Sequence, residues 1–521
     1  MQWDPRSQGC IRVLTTAGER VAVGLVDVYR RADEIAAVWG DTPGEMVAQI
    51  EELLGWAYAA GEYPEDAEDW HDRVRARESL APVADWLESH PGCWNLFDPE
   101  QPLGQNANLL PHLEAQGVGP AQIVFEQVGD YNQLFDFRHL HHRVPLPAGA
   151  AYRAMRVQHL FGIGMAAKIK AKAMGMPAAF GRLSDCRLRT RFRIIAVPAD
   201  PGSTLGDLLR INLAPYDAEP GTPNLTWTEG RTRRPFARTG ALEARPVDGP
   251  ADLHTTLGRS IAMRGVTLPD GSAGVDRVLV GPGETLADLP AAYLQDAVTF
   301  ALPEQDGKPG KTVFFRPSSA RDLWRESHAL YAAVAERAKG ADLYGRIALL
   351  RGRRIHLWTV GLLNQQGKVL SWVAARFPYV PGREAELRTA AETASAICEY
   401  SAKALYAAAS EAQRTAYQNP KPADRSAQVA RFNAEPEMWG AASPLFYALM
   451  DDVASGTPAA DVLPGFGKEI HDLAHTALVA RLATMPRSGR GLETRALSEA
   501  AFRRSMTGAK APHHLKEAAH G

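Results

Sequence analysis

Strand-like alternation and helical periods are mixed through the first three quarters of the chain, and a helical period alone takes over in the last quarter. Near the N-terminus "IRVLTT" and "RVAVGLV" flank Gly18, which predicts two strands joined by a turn. Two helical patterns follow, "DVYRRADEIAAVWG" and "PGEMVAQIEELLGWAYAAG", the second opened by Asp41 with Pro43 just inside. A further helical pattern, "AGAAYRAMRVQ", runs into "HLFGIGM". From roughly 185 to 380 strand patterns prevail. "RLRTRFRIIAV", "VTLPDGSAGVDRVLVG" and "KTVFFRP" are bounded by Gly, Pro and Asp, with a helix predicted over "SSARDLWRESHALYAAVAERA". In "VGLLNQQGKVL" two apolar runs predict a hairpin. Asn364 would open a four-residue turn and Gly367 close it, as a type I turn continuing into a bulge. Its tip then holds two long uncharged amides, Gln365 and Gln366.

After Tyr379 the strand signal fades. "VPGRE" reads as a linker, and Leu387, Ala391, Ala394, Ile397, Cys398, Leu405 and Ala409 recur at helical spacing up to the Asn419-Pro420 breaker. "EPEMWGAASPLFYALMDDV" predicts a second helix, interrupted near Pro436 and Pro444. A third, from about Lys468, places Ile470, Leu473, Ala477 and Leu478 on one face, and a fourth starts after Ser488-Gly489. Four amphipathic helices with short connections predict a bundle. The expectation is an α+β protein: a large mixed α/β N-terminal domain over 1–378, a linker over 379–384, a C-terminal four-helix bundle over 385–510, and a disordered tail over 511–521.

Length and composition narrow the class. The 521 residues, 45% hydrophobic, suffice for more than one core. The longest apolar runs fall short of a membrane span, and Met1 to Gly9 lacks a basic-then-apolar leader pattern. Cys10, Cys93, Cys186 and Cys398 are too scattered for a disulfide framework or a paired zinc motif, so a soluble cytoplasmic protein is expected. Net charge is only −2, yet it is segregated. Asp27 to Glu100 holds 18 acidic against 5 basic residues, Arg153 to Arg193 holds 10 basic against one acidic, and Lys339 to Arg376 holds 7 basic against one acidic. Two basic segments in a near-neutral chain predict an anionic partner, with the acidic segment turned away from it; the plainer alternative is a solvated face.

Candidate chemistry is sparse. His471 and His475 stand at i and i+4, the spacing of a helical metal pair, but Asp472 occupies the place of a zinc protease's Glu and no third ligand follows. "HLHHR", His139 to Arg143, resembles the start of a two-metal hydrolase signature but runs into Val144 and Pro145. A metal-dependent nuclease or hydrolase built on His471 and His475 is the alternative function, with the 139–142 cluster as a second candidate. No P-loop, no G-x-G-x-x-G at a strand-to-helix junction and no G-x-S-x-G occurs, which favours a binding protein without cofactor or metal. Gly162 and Gly164 allow close backbone approach and positive φ. Lys168, Lys170 and Lys172, then Arg187, Arg189, Arg191 and Arg193, repeat at intervals of two, and on strands that spacing would line one face with cations.

The order of features resembles the CasA family, the large subunit of the type I-E CRISPR surveillance complex called Cascade. The resemblance rests on "RRADEIAAVWGDTP", "WLESHPGCWNLFDPEQPLGQ", "YNQLFDFRH", "GSTLGDLLRINL", "NLTWTE", the tip "NQQG" and the terminal helices, and spans nearly the whole chain. It implies a non-catalytic subunit with four kinds of partner: the other Cascade subunits, the CRISPR guide RNA, target double-stranded DNA and a recruited helicase-nuclease, with no membrane. Such a subunit inspects duplex DNA for the short protospacer-adjacent motif (PAM) and helps open it for guide pairing. Gln366, with Asn364 and Gln365 and the neighbouring Lys368, matches the family's glutamine wedge. Gly162 and Gly164, followed by Lys168, Lys170 and Lys172, match its glycine-rich PAM loop, although "AAKIKAKAMGMPAAFG" departs from the family pattern. Tyr131, Asn132, Gln133, Leu134, Phe135 and Asp136 resemble the loop that contacts guide RNA and the rest of the complex. Where the family has a PAM-contacting lysine this chain has Gln295, with Lys308 and Lys311 nearby.

Physics agrees with these implied roles. The minor groove carries a degenerate code, suited to a short relaxed signal. An amide wedge replaces base-edge hydrogen bonds without burying a charge. If about six phosphates are neutralised, log K should fall against log salt with a slope near −5.

Overall fold

The structure is a computed structural model that describes residues 1–127, 144–167, 170–174, 181–227, 244–295, 299–301, 312–314, 316–317, 323–327, 330–331, 342–365, 368–417 and 422–520. The chain forms two compact units, one from Met1–Ser319 with Arg337–Arg376 and one from Ala320–Glu336 with Phe377–Gly521. Among the described residues no helix is long and apolar enough to cross a membrane.

In the first unit the helix Pro43–Ala59 runs through the core and is buried on nearly every side from Val47 to Tyr58. Its cap is Thr42, whose hydroxyl accepts the Glu45 N–H at 3.1 Å, while Asp41 pairs with Arg12 at 2.7 Å. Among the described residues the chain also forms three three-stranded and two two-stranded antiparallel sheets. In one, Ile11–Thr15 lies between Arg20–Val23 and Ile35–Val38. That last strand corrects the helix expected over "DVYRRADEIAAVWG". The helix covers only Leu25–Arg30, because Ile35 and Val38 bury themselves by pairing with Ile11–Thr15. In the second sheet Arg259–Thr267 pairs with Ala273–Pro282, joined through the Pro269–Ser272 turn. In the third, Ile355–Gln365 lies between Lys368–Tyr379 and Arg193–Pro198.

The second unit is helical: Glu384–Ala416, Arg425–Phe432, Glu435–Ala454, Ala459–Ala483, Gly489–Met506 and His513–His520. Four of these are long, and Glu384–Ala416, with 33 residues, is the longest. Its buried stripe of Ala391, Ala394, Ala408, Ala409 and Ala412 presents small side chains, which lets neighbouring helices lie close. Pro436 sits in the first turn of its helix, where no N–H bond is lost, and Pro444 lies inside the same helix without ending it. The third long helix starts at Ala459, before the expected Lys468.

Two boundaries differ from expectation. The tail expected to be disordered forms the helix His513–His520, because Leu515 is fully buried and anchors it. The stretch Leu323–Glu326 belongs to the helical unit, where Trp324 packs at 4.9 Å from Phe446 and Arg325 lies 3.5 Å from the Trp439 ring centre. A sequence break at Tyr379 does not reveal that inserted piece.

Candidate nucleic-acid interface

The helix Ala148–Phe161 ends at Gly162, and the chain is then held by the returning residues 182–188. Cys186 N–H donates to Gly162 C=O at 2.9 Å, and Gly164 N–H donates to Asp185 Oδ1 at 2.7 Å. Neither glycine takes the positive φ that the sequence allows; Gly162 has φ −50°. Gly162 is needed for space instead, since a Cβ there would stand 2.5 Å from Arg259 Cζ. That guanidinium cannot step aside cheaply. It donates to Ser184 C=O at 2.8 Å, Gly258 C=O at 2.9 Å and Ile163 C=O at 2.9 Å. Thus the glycine backbone approaches one of the protein's own side chains, and the exposed surface begins at Met165 and Ala166. Beyond it Lys170 and Lys172 are exposed, on a short turn that Ala171 and Met174 pin to Leu109 and Leu113.

Under this segment His159 is buried with both ring nitrogens engaged: Nε2 lies 2.9 Å from Gly104 C=O, and Nδ1 accepts the Arg259 N–H at 3.2 Å. Burial, reinforced by Arg156, pushes its pKa down to about 3. The folded pKa is depressed, so the contribution is complete above the unfolded value near 6.5 and drains away as pH falls toward 3. In that window the unfolded chain binds a proton that the fold refuses, which costs about 1.4 kcal/mol per pH unit. We expect His159→Gln, which keeps a donor and an acceptor but cannot titrate, to flatten the acid side of a urea-stability profile by about that slope. Identical slopes for the two proteins between pH 6.5 and 5 would refute the assignment.

The basic run that follows is not a cation-lined strand. Residues 187–190 form turns and the strand starts only at Arg193, so the alternation points inward. Arg187 contacts Glu51, and Arg193 Nε lies 2.6 Å from Glu51 Oε1. Arg191 is 2% exposed and lies over Phe314. On the preceding helix Arg153 Nε sits 2.7 Å from Glu45, and Arg156 Nε sits 3.9 Å from Glu52. The acidic and basic segments therefore neutralise one another across the core, the acidic one supplying Glu45, Glu51 and Glu52. Lys170, Lys172 and Arg182 are the described members of the run left exposed, too few for the expected salt slope to come from this segment alone. The cavity behind the glycine segment, about 840 Å³, mixes Arg187, Arg191 and Arg316 with Asp185, Glu284 and Asp288, a lining without a single sign of charge.

The hairpin strands run from Ile355 to Gln365 and from Lys368 to Tyr379. Asn364 is thus a half-buried strand residue, not the first residue of the turn. Its side-chain oxygen accepts from Arg189 Nη2. On the returning strand Trp372 packs edge-on against Phe161 at 4.9 Å and donates to Glu126 at 2.6 Å. It also lies directly over the helix Pro43–Ala59 at Gly44, where a Cβ would stand 2.0 Å from the indole. Gln366 and Gly367 lie outside the described residues, as do Lys168, Tyr131 to Asp136, His139 to His142, Lys308 and Lys311. Gln295 is described, and its Oε1 accepts from Arg346 at 2.6 Å, which engages that face of the amide within the fold.

The metal reading of His471 and His475 gains nothing. Each ring lies 6.0 Å from Phe502, and His471 pairs with Asp472 at 3.1 Å. Among the described residues the group with three ligand atoms within 4.8 Å of one another is His513, His514 and Glu517, which includes neither. Arg259 and Trp372 are not singled out by the sequence, and Arg189, read there as one of a row of cations, is instead bonded to Asn364. A lone Trp in a hairpin strand and a helical Gly facing it are the signals that were there to read.

Fold and site together define a two-unit α+β protein in which a long hairpin is brought beside a glycine-containing turn. The family model for CRISPR-associated protein Cse1 matches residues 10–477, and the chain belongs to the Cse1, or CasA, family. CasA (Cse1) of Thermus thermophilus superposes with a TM-score of 0.74 at 21% identity, over 97% of this chain and 99% of that one. Cse1 of Acidimicrobium ferrooxidans gives 0.71 at 18% identity, over 100% and 99%. A chain of a CRISPR RNA-guided surveillance complex gives 0.66 at 16% identity, over 96% and 99%. No curated protein matches the chain.

Proposed function

We propose that this chain is the large subunit of a Cascade-type RNA-guided surveillance complex, where it recognises the PAM in duplex DNA, starts strand opening and helps recruit a helicase-nuclease. Its partners are then the other subunits, the guide RNA and the target duplex, and its role is binding, not catalysis. Membership in the Cse1 family and the fold shared with a chain of a surveillance complex support the assembly. The observation that carries the site is the contact between Arg189, in the segment that returns from the glycines, and Asn364 near the end of the hairpin. In this reading the glycine segment with Lys170 and Lys172 meets the duplex, and Gln366 enters the adjoining base step. Unstacking one step costs on the order of a few kcal/mol, and guide pairing nearly balances duplex loss afterwards, so a local wedge acts on initiation.

The test uses the assembled complex with guide RNA and a duplex carrying a fluorescent base analogue beside the PAM. Gln366→Ala is expected to slow opening about tenfold while duplex affinity changes much less. Equal opening rates for variant and wild type would remove the wedge role.

A further inference from the structure

The glycine segment and the hairpin are linked by side chains at two places. The first link begins at Gly164, whose N–H donates to Asp185 Oδ1 at 2.7 Å. The same carboxylate oxygen lies 3.8 Å from Arg189 Nε, and the far end of that guanidinium donates to Asn364, 175 positions away in sequence. A planar guanidinium suits this task because its edges address two partners in a fixed relation, whereas an ammonium would serve one of them at a time. Arg189 is 15% exposed and Asp185 44%, so the contact with half-buried Asn364 is the better shielded of the two. The second link is apolar. Trp372 on the returning strand packs on Phe161, the residue before Gly162, and is steadied by Glu126. Each hairpin strand is therefore tied to one flank of the glycine turn.

Two ties of different chemistry fix a distance and an orientation, where one tie leaves a hinge. Asp185 bonds the Gly164 N–H and pairs electrostatically, without a hydrogen bond, with Arg189, which bonds Asn364, so a shift of the glycine backbone that moves Asp185 changes the field at the guanidinium that holds Asn364. We propose that Asp185 and Arg189 are positioning residues that couple duplex recognition at the glycine segment to strand opening at the hairpin tip, so that opening depends on the PAM. This rests on the function proposed above. Neither residue need touch DNA. Arg189 acts through Asn364, and Asp185 acts through Arg189 and the Gly164 N–H.

The experiment measures opening in the assembled complex on duplexes with and without the PAM, and the readout is the ratio of the two rates. Loss of one charge-assisted hydrogen bond predicts a fall in that ratio of about tenfold for Arg189→Ala. At the other end Asn364→Leu, which removes the acceptor, should lower the ratio similarly, and Asn364→Asp, which keeps it, should restore the wild-type ratio. A purely structural role for Arg189 would not distinguish those two substitutions. If Arg189→Ala fails to assemble, the Asn364 pair decides alone. A wild-type ratio for Arg189→Ala, or equal ratios for Asn364→Leu and Asn364→Asp, overturns the coupling. Gln366→Ala in the same assay separates the two levels of the argument. Slow opening by Gln366→Ala beside a wild-type ratio for Arg189→Ala sinks the coupling and spares the wedge. Wild-type opening by Gln366→Ala removes the wedge and the coupling with it.

Discussion

Glu51→Ala should destabilise the first unit strongly, with a loss of about 3–5 kcal/mol. Glu51 has no exposed surface and receives Arg187, Arg193 and His254, the last at 3.0 Å. Burial alone would raise its carboxyl, but Arg193, Arg187 and His254 outweigh burial and hold it well below the usual 4.5. Its contribution is therefore complete above pH 4.5 and is lost only as pH falls through that depressed value. Removing it takes a buried carboxylate away from the Arg187 and Arg193 guanidiniums, and breaking a buried ion pair from one side costs far more than the pair's net worth. Equilibrium urea unfolding, followed by tryptophan fluorescence, measures the effect. A shift in stability of less than 1 kcal/mol would mean that water or another carboxylate replaces Glu51.

Arg259→Ala should cost about 3–5 kcal/mol, from three bonds to a charged donor at roughly 1.5–3 kcal/mol each, discounted because water can reach Ser184. The three carbonyls it satisfies belong to Ile163, Ser184 and Gly258, so the substitution loosens the glycine segment specifically. Faster protease cleavage between residues 162 and 186, with the helical unit still intact, is the expected signature. Unchanged cleavage there would show that Cys186 and Asp185 hold the turn unaided.

These residues mark where the sequence stopped being informative. The hairpin around "NQQG" was legible because alternation and a Gly are local signals, and its strands lie close to where the pattern puts them. The helical last quarter was legible from a period of 3.6, sustained over 33 residues in its first helix. "DVYRRADEIAAVWG" misled because Ile35–Val38 obeys a strand 20 or more residues away, and a local period carries no knowledge of that partner. The tail misled for a similar reason. Its eight-residue helix is held by the burial of Leu515, and no short isolated segment announces such docking.

Charge is the clearest case. Sequence alone displays an acidic and a basic block and invites an external anion as the explanation. The fold places Glu45, Glu51 and Glu52 against Arg153, Arg156, Arg187 and Arg193, each pair over 100 positions apart, so the basic block is largely spent on the protein's own core. By itself the sequence determined the N-terminal strand pair, the helix around Pro43–Ala59, the strands of the hairpin around "NQQG", the helical last quarter and the likeness to a known family. These depend on neighbouring residues or on their order. The tertiary structure alone decided which charges remain outside, which glycine is needed for space, and which arginine joins the turn to the hairpin. Those depend on distances between residues far apart in the chain, which no local pattern encodes.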